Sequence, residues 1–375
     1  MHTIDRQQHY SIISCMDKIK RYIDCYIPVT TCTLRCPYCY ITQHRLFEGP
    51  LPMFNYPPEH VRKALSKERL GGTCLINLCA GGETLLARET VNYARELLSE
   101  GHYVMIVTNG TVSKRFDEFA SFPKELKKHL FFKFSYHYLE FKKRGLFDVF
   151  FNNIRKVRDA GCSFTLELTP SDDAIPYIDA IKQLAIKELG AANHITIARD
   201  EKDDNELPMM TSLPRDRYLR TWGVFRSALF DYKLKIFGQK RTDFCYAGDW
   251  SFYLNLATGE MTQCYQSYFK ANIFDDLSKP IPFKAIGNNC KEHHCYNGHS
   301  FIVLGDIPSE NAPTYAELRN RKCKDGTEWL QPEMKAFMST KLKESNEEYS
   351  TWQKIKTNFE IQKIKYNTSN HENLR

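Results

Sequence analysis

The sequence predicts an α/β fold, a partial (β/α)6 barrel followed by a small C-terminal cysteine-rich α+β module. Between about residues 20 and 200, apolar strand-like segments alternate six times with helix-like segments. Such repeats with short connections predict a parallel sheet with helices outside, and right-handed crossovers curl that sheet into a partial barrel. After residue 240 the sequence changes to short segments rich in glycine and cysteine, which predicts the second module.

The predicted strands are apolar runs bounded by turn residues. They are residues 22–30, 74–79, 103–107, 131–135, 163–168 and 194–198. The predicted helices have proline or polar residues at their starts or glycine at their ends. The main ones are residues 57–70, 87–100, 147–157, 175–189 and 214–237. In the second module, residues 250–256 and the turn at 257–259 predict a β-hairpin.

These elements divide the chain into four segments. The barrel is expected at residues 18–205, a connecting helix at 206–240, the cysteine-rich module at 241–330, and a C-terminal helix and tail at 331–375. The C-terminal helix carries apolar Trp352, Ile355 and Phe359 among Lys and Glu residues. We expect it to lie on the surface and to fray after Tyr366.

Composition limits the class of protein. Of the 375 residues, 42% are hydrophobic and 13% aromatic, which is typical of a globular chain. The N-terminal segment lacks the apolar core of a secretory signal, and no run approaches the ~18 apolar residues of a membrane span. We therefore expect a cytoplasmic protein without a membrane partner. The net charge of +7 is spread along the chain, which gives no indication of a nucleic-acid partner.

Thirteen cysteines are present, an odd number that cannot be fully paired. In a reducing compartment, clustered cysteines bind metal or do chemistry rather than form disulfides. Cys32, Cys36 and Cys39 follow the first strand with the spacing C-x3-C-x2-C. Three thiolates on one loop can each bind one iron of a [4Fe–4S] cluster, leaving the fourth iron open to a small molecule. A structural site would use four ligands.

This loop, with Tyr38 before its third cysteine, resembles the radical S-adenosylmethionine (SAM) superfamily. The resemblance implies that SAM chelates the open iron through its amino and carboxylate groups. One electron then cleaves SAM to methionine and a 5′-deoxyadenosyl radical, which abstracts hydrogen from the substrate. It also implies an electron donor such as flavodoxin or ferredoxin. A zinc site with its fourth ligand elsewhere is the alternative.

A second motif supports the resemblance. Gly81, Gly82 and Glu83 end the second predicted strand and are similar to the family's Gly-Gly-Glu motif, which holds the amino group of SAM. Glycines allow backbone to approach a ligand closely, and a carboxylate can pair with an ammonium group. The family often continues with proline, where this chain has Thr84.

Further SAM contacts are expected at the ends of later strands. Thr108 and Asn109 end the third strand, Ser135 ends the fourth and Arg199 follows the sixth. The residues after Ser135 are Tyr136 and His137, which differ from the Ser-Leu-Asp-Gly motif of many relatives.

A second cysteine set lies in the module. Cys245, Cys264, Cys290 and Cys295 are arranged as C-x13-G-x4-C followed by C-x4-C, and the predicted hairpin would bring the first two together. Four thiolates are enough for one fully ligated [4Fe–4S] cluster or one zinc ion.

The same pattern resembles the auxiliary-cluster modules of radical SAM enzymes. With four ligands and Cys323, it is closer to the single-cluster twitch form than to the seven-cysteine SPASM form. Zinc at this set remains an alternative. His293, His294 and His299 are alternative ligands.

Two reactions and two substrate classes remain open. Cys79 beside the glycines can donate a hydrogen atom, which would make the enzyme an epimerase. His137 or Glu167 can act as the base of an oxidation, with the auxiliary cluster accepting electrons. The substrate is a small polar metabolite such as a sugar or aminocyclitol, or alternatively a peptide or protein side chain. A non-catalytic zinc-binding interaction protein is the alternative of another class.

Overall fold

A computed structural model of the chain describes residues 17–45, 49–202, 207–265 and 267–372, with side chains described as far as residue 366. Within these ranges nine strands form one sheet. They are β1 Arg21–Ile27, β2 Cys74–Ala80, β3 Tyr103–Thr108, β4 Leu130–Ser135, β5 Ser163–Leu168, β6 His194–Ile195, β7 Ser251–Asn255, β8 Glu260–Thr262 and β9 Lys270–Asn272.

The strand order is β6-β5-β4-β3-β2-β1-β7-β8-β9. Strands β1 to β6 are parallel throughout, which confirms the predicted α/β fold, and the sheet is not closed. All six predicted strands are confirmed, although β1 ends at Ile27 rather than at residue 30 and β6 at Ile195 rather than at residue 198. Their carboxyl ends share one edge, where the active sites of such folds lie.

The cysteine-rich segment continues this sheet. Strand β7 pairs in parallel with β1, with Tyr22 opposite Ser251 and Tyr26 opposite Asn255. Strands β7 and β8 form the predicted hairpin, and β9 pairs antiparallel with β8. The proposed division of the chain at residue 241 therefore falls between segments that share a sheet. The boundary at residues 205 and 206 lies outside the described residues.

Fifteen α-helices lie within the described ranges. They are α1 Tyr40–Gln43, α2 Pro58–Ala64, α3 Lys67–Leu70, α4 Thr90–Ser99, α5 Ser113–Ala120, α6 Lys124–Lys128, α7 Tyr138–Arg144, α8 Phe147–Asp159, α9 Ile178–Leu189, α10 Arg215–Gly223, α11 Ala228–Ile236, α12 Phe301–Leu304, α13 Tyr315–Arg319, α14 Pro332–Met338 and α15 Thr351–Glu372. Among these helices, none is both long enough and apolar enough to cross a bilayer.

Two predicted helices are wrong in continuity. The helix predicted at residues 57–70 is divided into α2 and α3, because Ser66 leaves the helical conformation and its side chain caps α3 by accepting from Arg69 N–H. The helix predicted at 214–237 is divided into α10 and α11 at Arg226, whose φ is 47°, and Ser227 caps α11. Helix α15 exposes Trp352 as expected, but it continues through Glu372 rather than ending near Tyr366.

Polar side chains interrupt the apolar strands at alternating positions, which lie on one face of the sheet. On β1 and β2 these residues include Asp24 and its partner in register, Asn77. On β4 and β5 they include Lys133, Ser135 and Glu167, and Ser135 lies opposite Glu167. This face leads to the carboxyl ends of the strands.

Candidate active site

The first three cysteines lie on the loop between β1 and α1. Cys39 N–H donates to the carbonyl of Cys36 at 3.1 Å, closing a turn. The thiols of Cys32, Cys36 and Cys39 line a cavity of about 170 Å³. Burial raises the pKa of all three thiols, so each has to lose a proton on binding iron.

The glycine segment faces these thiols across the same cavity. Gly82 N–H donates to the carbonyl of Val29, and Glu83 N–H donates to the carbonyl of Thr31 at 3.0 Å. A Cβ on Gly82 would lie 1.8 Å from the Thr31 oxygen, so a side chain there is incompatible with this pairing. The Tyr40 hydroxyl donates to the carbonyl of Gly81. The segment is thus held against the cysteine loop by backbone hydrogen bonds and by the Tyr40 hydroxyl.

Glu83 is 2% exposed and joins the ends of β2 and β3. It accepts hydrogen bonds from Leu85 N–H at 3.0 Å, from the Thr108 hydroxyl at 2.6 Å and from Asn109 N–H at 2.7 Å. Burial raises the pKa of Glu83, and the hydrogen bonds oppose that shift. The structure therefore brings Glu83, Thr108 and Asn109 together, as expected of residues with a common role. The expected contact of Glu83 with the SAM amino group stays a prediction.

Two further contacts support the cysteine loop. The Asn109 side-chain nitrogen lies 3.6 Å from Cys32 Sγ. The Tyr38 hydroxyl and His137 Nδ1 are 2.8 Å apart, and the two rings stack. His137 lines the cavity, whereas Tyr38 is not among the lining residues. Burial lowers the pKa of His137 to about 4, so its ring is neutral and only weakly basic near neutral pH.

The donor set fits an iron–sulfur cluster. Soft thiolates suit iron–sulfur centres as well as zinc, so the spacing of the ligands has to distinguish them. Among the residues that the structure describes, no three His, Cys, Asp or Glu side chains surround a single metal-ion position. Three thiols on one loop beside one cavity are the number that a [4Fe–4S] cluster with one open iron requires.

Ser135 joins this cavity to a second one of about 320 Å³. Glu167 lines the second cavity, with Lys133 Nζ at 3.3 Å and Arg319 Nε at 2.8 Å. Burial opposes ionisation of Glu167, but Arg319 and Lys133 outweigh it and lower the pKa of the carboxyl. Arg199 also lines this cavity and pairs with Glu201 at 3.0 Å.

Cys79 lines a third cavity of about 630 Å³. Arg199 lines both this cavity and the second cavity. Burial raises the pKa of Cys79 to about 12, so it carries a protonated thiol. Asp24 lies in the same wall and accepts hydrogen bonds from Asn77 at 2.7 Å, Tyr265 at 2.5 Å and Asn297 at 3.0 Å. These contacts tie β1 to the cysteine-rich segment.

The second cysteine set also converges. Cys245, Cys264, Cys290 and Cys295 pack against one apolar cluster. Burial raises the pKa of Cys295, and the nearby Cys264 and Cys290 thiols add to that shift, as expected for neighbouring groups. Cys323 lies elsewhere and contacts the Leu189 carbonyl at 3.3 Å.

The alternative histidine ligands differ in burial and position. His294 and His299 are buried and line the second cavity, as does Cys295. His293 is exposed.

Sequence reasoning missed several cavity residues. Asp24, Lys133 and Lys233 line the second or third cavity but were not identified. A signal was present for two of them, because Asp24 and Lys133 interrupt otherwise apolar strands, and a buried charge requires a partner or a function. Lys233 carried no such signal, since charged residues are common on helices.

Comparisons with known proteins give one matching family and several similar solved structures. Residues 26–170 match the family described as the Radical SAM superfamily, and among curated proteins no match to the sequence is found. Three solved structures are similar. SuiB of Streptococcus suis bound to S-adenosylmethionine has 12% identity and a TM-score of 0.47, covering 74% of this chain and 70% of that one. Native anSMEcpe with bound AdoMet has 15% identity and a TM-score of 0.46, covering 93% and 99%. BtrN in complex with AdoMet and 2-DOIA has 14% identity and a TM-score of 0.34, covering 79% and 85%.

The family match includes both motifs of the first cavity, the cysteine loop and residues 81–83. It extends from the end of β1 through β5, and residues at the carboxyl ends of β2, β3 and β4 line that cavity. With its parallel sheet and three-thiol loop, the chain carries a radical SAM domain at residues 26–170.

Proposed function

We propose that this chain is a radical SAM enzyme that cleaves SAM reductively and abstracts hydrogen from a small polar substrate. One observation carries the proposal. The thiols of Cys32, Cys36 and Cys39 and the segment 81–83 line the same cavity, which Ser135 joins to a larger one. A radical formed at the first cavity therefore has a neighbouring space in which a substrate can lie.

The chain's own residues bind and orient the reactants. A [4Fe–4S] cluster on the three thiols would supply one electron to SAM, producing the 5′-deoxyadenosyl radical. Gly82 allows the backbone to approach the cysteine loop closely. Asn109 donates towards Cys32 and, with Thr108, fixes Glu83. These groups are positioned before the reactants arrive, which lowers the cost of orienting them.

Epimerisation is supported over dehydrogenation by the protonation states in the cavities and by the position of Cys79, whose cavity shares Arg199 with the second cavity. His137 and the ion-paired Glu167 are both weak bases, whereas Cys79 carries a protonated thiol. Hydrogen-atom transfer from Cys79 Sγ to a substrate radical would form the new C–H bond and leave a thiyl radical. That radical needs one electron and one proton before the next turnover. A one-electron donor such as flavodoxin or ferredoxin can supply the electron.

We further propose that Cys245, Cys264, Cys290 and Cys295 hold an auxiliary [4Fe–4S] cluster. Support comes from the proximity of the four thiols and from Cys295, which lines the second cavity as well. A cluster there would lie beside the substrate space. We expect eight irons per reconstituted chain. A chain that holds four irons together with bound zinc would contradict this assignment.

The test of the main proposal is anaerobic reconstitution with iron and sulfide, followed by reduction and assay for 5′-deoxyadenosine. Wild type and the Cys323→Ala control should both form it, because Cys323 lies outside both cysteine sets. A fully loaded, reduced wild type that forms none would exclude the proposal. Deuterium transfer from labelled sugars or peptides into 5′-deoxyadenosine then decides between the metabolite and the peptide or protein side chain.

A further inference from the structure

The second cavity is lined by an unusual number of cationic groups. Lys133, Lys233 and Arg199 all line its wall. A fourth cation, Arg319, is fully buried behind Glu167. Cations brought together in a space with little water repel one another unless anions balance them.

The carboxylates present balance only part of this charge. Glu167 is shared between Lys133 and Arg319, and Glu201 pairs with Arg199. Lys233 Nζ donates to the Thr196 hydroxyl at 2.6 Å, and within the described ranges it forms no ion pair. Burial, reinforced by Lys133 and Arg199, lowers the pKa of Lys233. A bound anion would oppose that shift and keep Lys233 protonated, so an anion is the group that this wall lacks.

Two buried imidazoles add unused hydrogen-bonding capacity to the same wall. His294 is 3% exposed and His299 is 8% exposed. Both ring nitrogens of His294 and the Nδ1 of His299 have no hydrogen-bond partner in the described part of the chain. Buried polar atoms normally have partners, so these atoms point to a ligand in the cavity that both rings line.

We infer that this cavity is an anion subsite, which takes a carboxylate or phosphate group of the substrate between Lys133, Lys233 and Arg199. The inference rests on the proposed function and narrows its substrate to an acidic metabolite. When the anionic end of the substrate is held there, the rest of the substrate extends towards Ser135, the residue common to this cavity and the first cavity. The imidazoles of His294 and His299 add hydrogen bonds to the anion or to its neighbouring hydroxyls.

Two other reasons for the cations have to be distinguished from this one. The carboxylate of SAM is itself an anion, and Arg199 is an expected SAM contact. An auxiliary cluster near Cys295 would also carry negative charge. In the first case SAM would block the subsite, and in the second no added anion would bind. Titrating small anions into protein that already holds SAM and both clusters separates the three.

The test is calorimetric titration of the reconstituted holoenzyme, saturated with SAM, with inorganic phosphate and separately with acetate. Wild type should bind at least one of the two, and the tighter one identifies the acid group. Lys233→Met should weaken that binding about tenfold or more, which corresponds to a loss of about 1.4 kcal/mol of binding free energy. Lys233→Arg should restore it to within a few-fold. Lys235→Met removes a charge from the same helix outside the cavity, where Lys235 pairs with Glu310, and should leave binding unchanged.

Absence of binding by both anions in wild type would overturn the inference. Anion binding by Lys233→Met that is as tight as that of wild type would overturn it as well. So would anion binding that occurs without SAM and is lost when SAM is bound. Iron content and the unfolding temperature of each variant identify any that fail to fold, and Lys233→Arg keeps the test valid in that case. A failure of the proposed function would give a different result. A holoenzyme that binds the anion but forms no 5′-deoxyadenosine would refute SAM cleavage and leave the anion subsite intact.

Discussion

Gly82 is the residue on which the geometry of the first cavity depends most. Its missing side chain lets the segment 81–83 lie against Thr31, where a Cβ would be 1.8 Å from the carbonyl oxygen and 2.6 Å from the carbonyl carbon. Both atoms are backbone and cannot turn aside. We expect Gly82→Ala to destabilise the fold by about 1–3 kcal/mol, as overpacking does, and to reduce 5′-deoxyadenosine formation at least ~100-fold.

A matched control exists in helix α10. A Cβ on Gly223 would meet nothing within 4 Å, and the residue is helical. Gly223→Ala should leave SAM cleavage unchanged and raise stability by about 0.4–1 kcal/mol, since alanine has less freedom to lose on folding. Chemical denaturation of the two variants measures both effects. A stable, fully active Gly82→Ala protein would contradict the close approach described here.

Among single elements, the strands of the barrel were the most predictable. Their apolar runs are long and each is followed by a turn, so β1 to β6 follow from the sequence to within three residues at either end. Helix continuity was less predictable, because one capping residue such as Ser66 or Ser227 outweighs a continuous helical pattern. Parallel pairing of β7 with β1 was not predictable, since it joins segments more than 200 residues apart.

Asp306 connects the end of helix α12 to strand β7. Its Oδ2 accepts from the Ser251 hydroxyl at 2.6 Å, and burial raises the pKa of Asp306 to about 8. The ordinary pKa of an aspartate in an unfolded chain is about 4. Between these values the folded protein binds a proton that the unfolded chain does not, so this group's stabilisation falls as the pH rises from about 4 to about 8.

Replacing Asp306 with asparagine keeps a neutral group at all pH values. We expect Asp306→Asn to unfold at a higher temperature than wild type at pH 9. This difference in unfolding temperature should exceed the difference at pH 5 by at least ~2 °C. Thermal melts at the two pH values measure this difference. The exposed Asp179→Asn should show no such pH dependence, and an equal effect of Asp306→Asn at both pH values would contradict the proposed ionisation.

At the scale of the whole molecule, the shared sheet joins the barrel to the cysteine-rich segment. Besides the β1–β7 pairing, Asp24 on β1 accepts hydrogen bonds from Tyr265 and Asn297. We therefore expect residues 17–330 to unfold as one cooperative unit. Calorimetry of the reconstituted protein should give a single transition, and two well-separated transitions would show that the two parts fold independently.

The site was predictable to different degrees for physical reasons. Iron ligation depends on closely spaced residues, so the proposed ligands Cys32, Cys36 and Cys39 could be predicted from their spacing and their place after the first strand. The substrate space is built by side chains from distant strands and helices, such as Lys133 on β4 and Lys233 on α11, which only the fold brings together. Sequence therefore indicates how the reaction begins, whereas the three-dimensional structure is needed to propose what the radical attacks.

Iron content and 5′-deoxyadenosine yield, measured on the same samples of Cys36→Ala and Cys290→Ala, distinguish the roles of the two cysteine sets. Each variant should lose about half of the iron of wild type. Only Cys36→Ala should lose SAM cleavage, because Cys36 belongs to the set that faces residues 81–83, whereas Cys290 belongs to the auxiliary set. Cleavage that persists in Cys36→Ala, or that disappears equally in both variants, would contradict the assignment of the first cysteine loop as the SAM-cleaving centre.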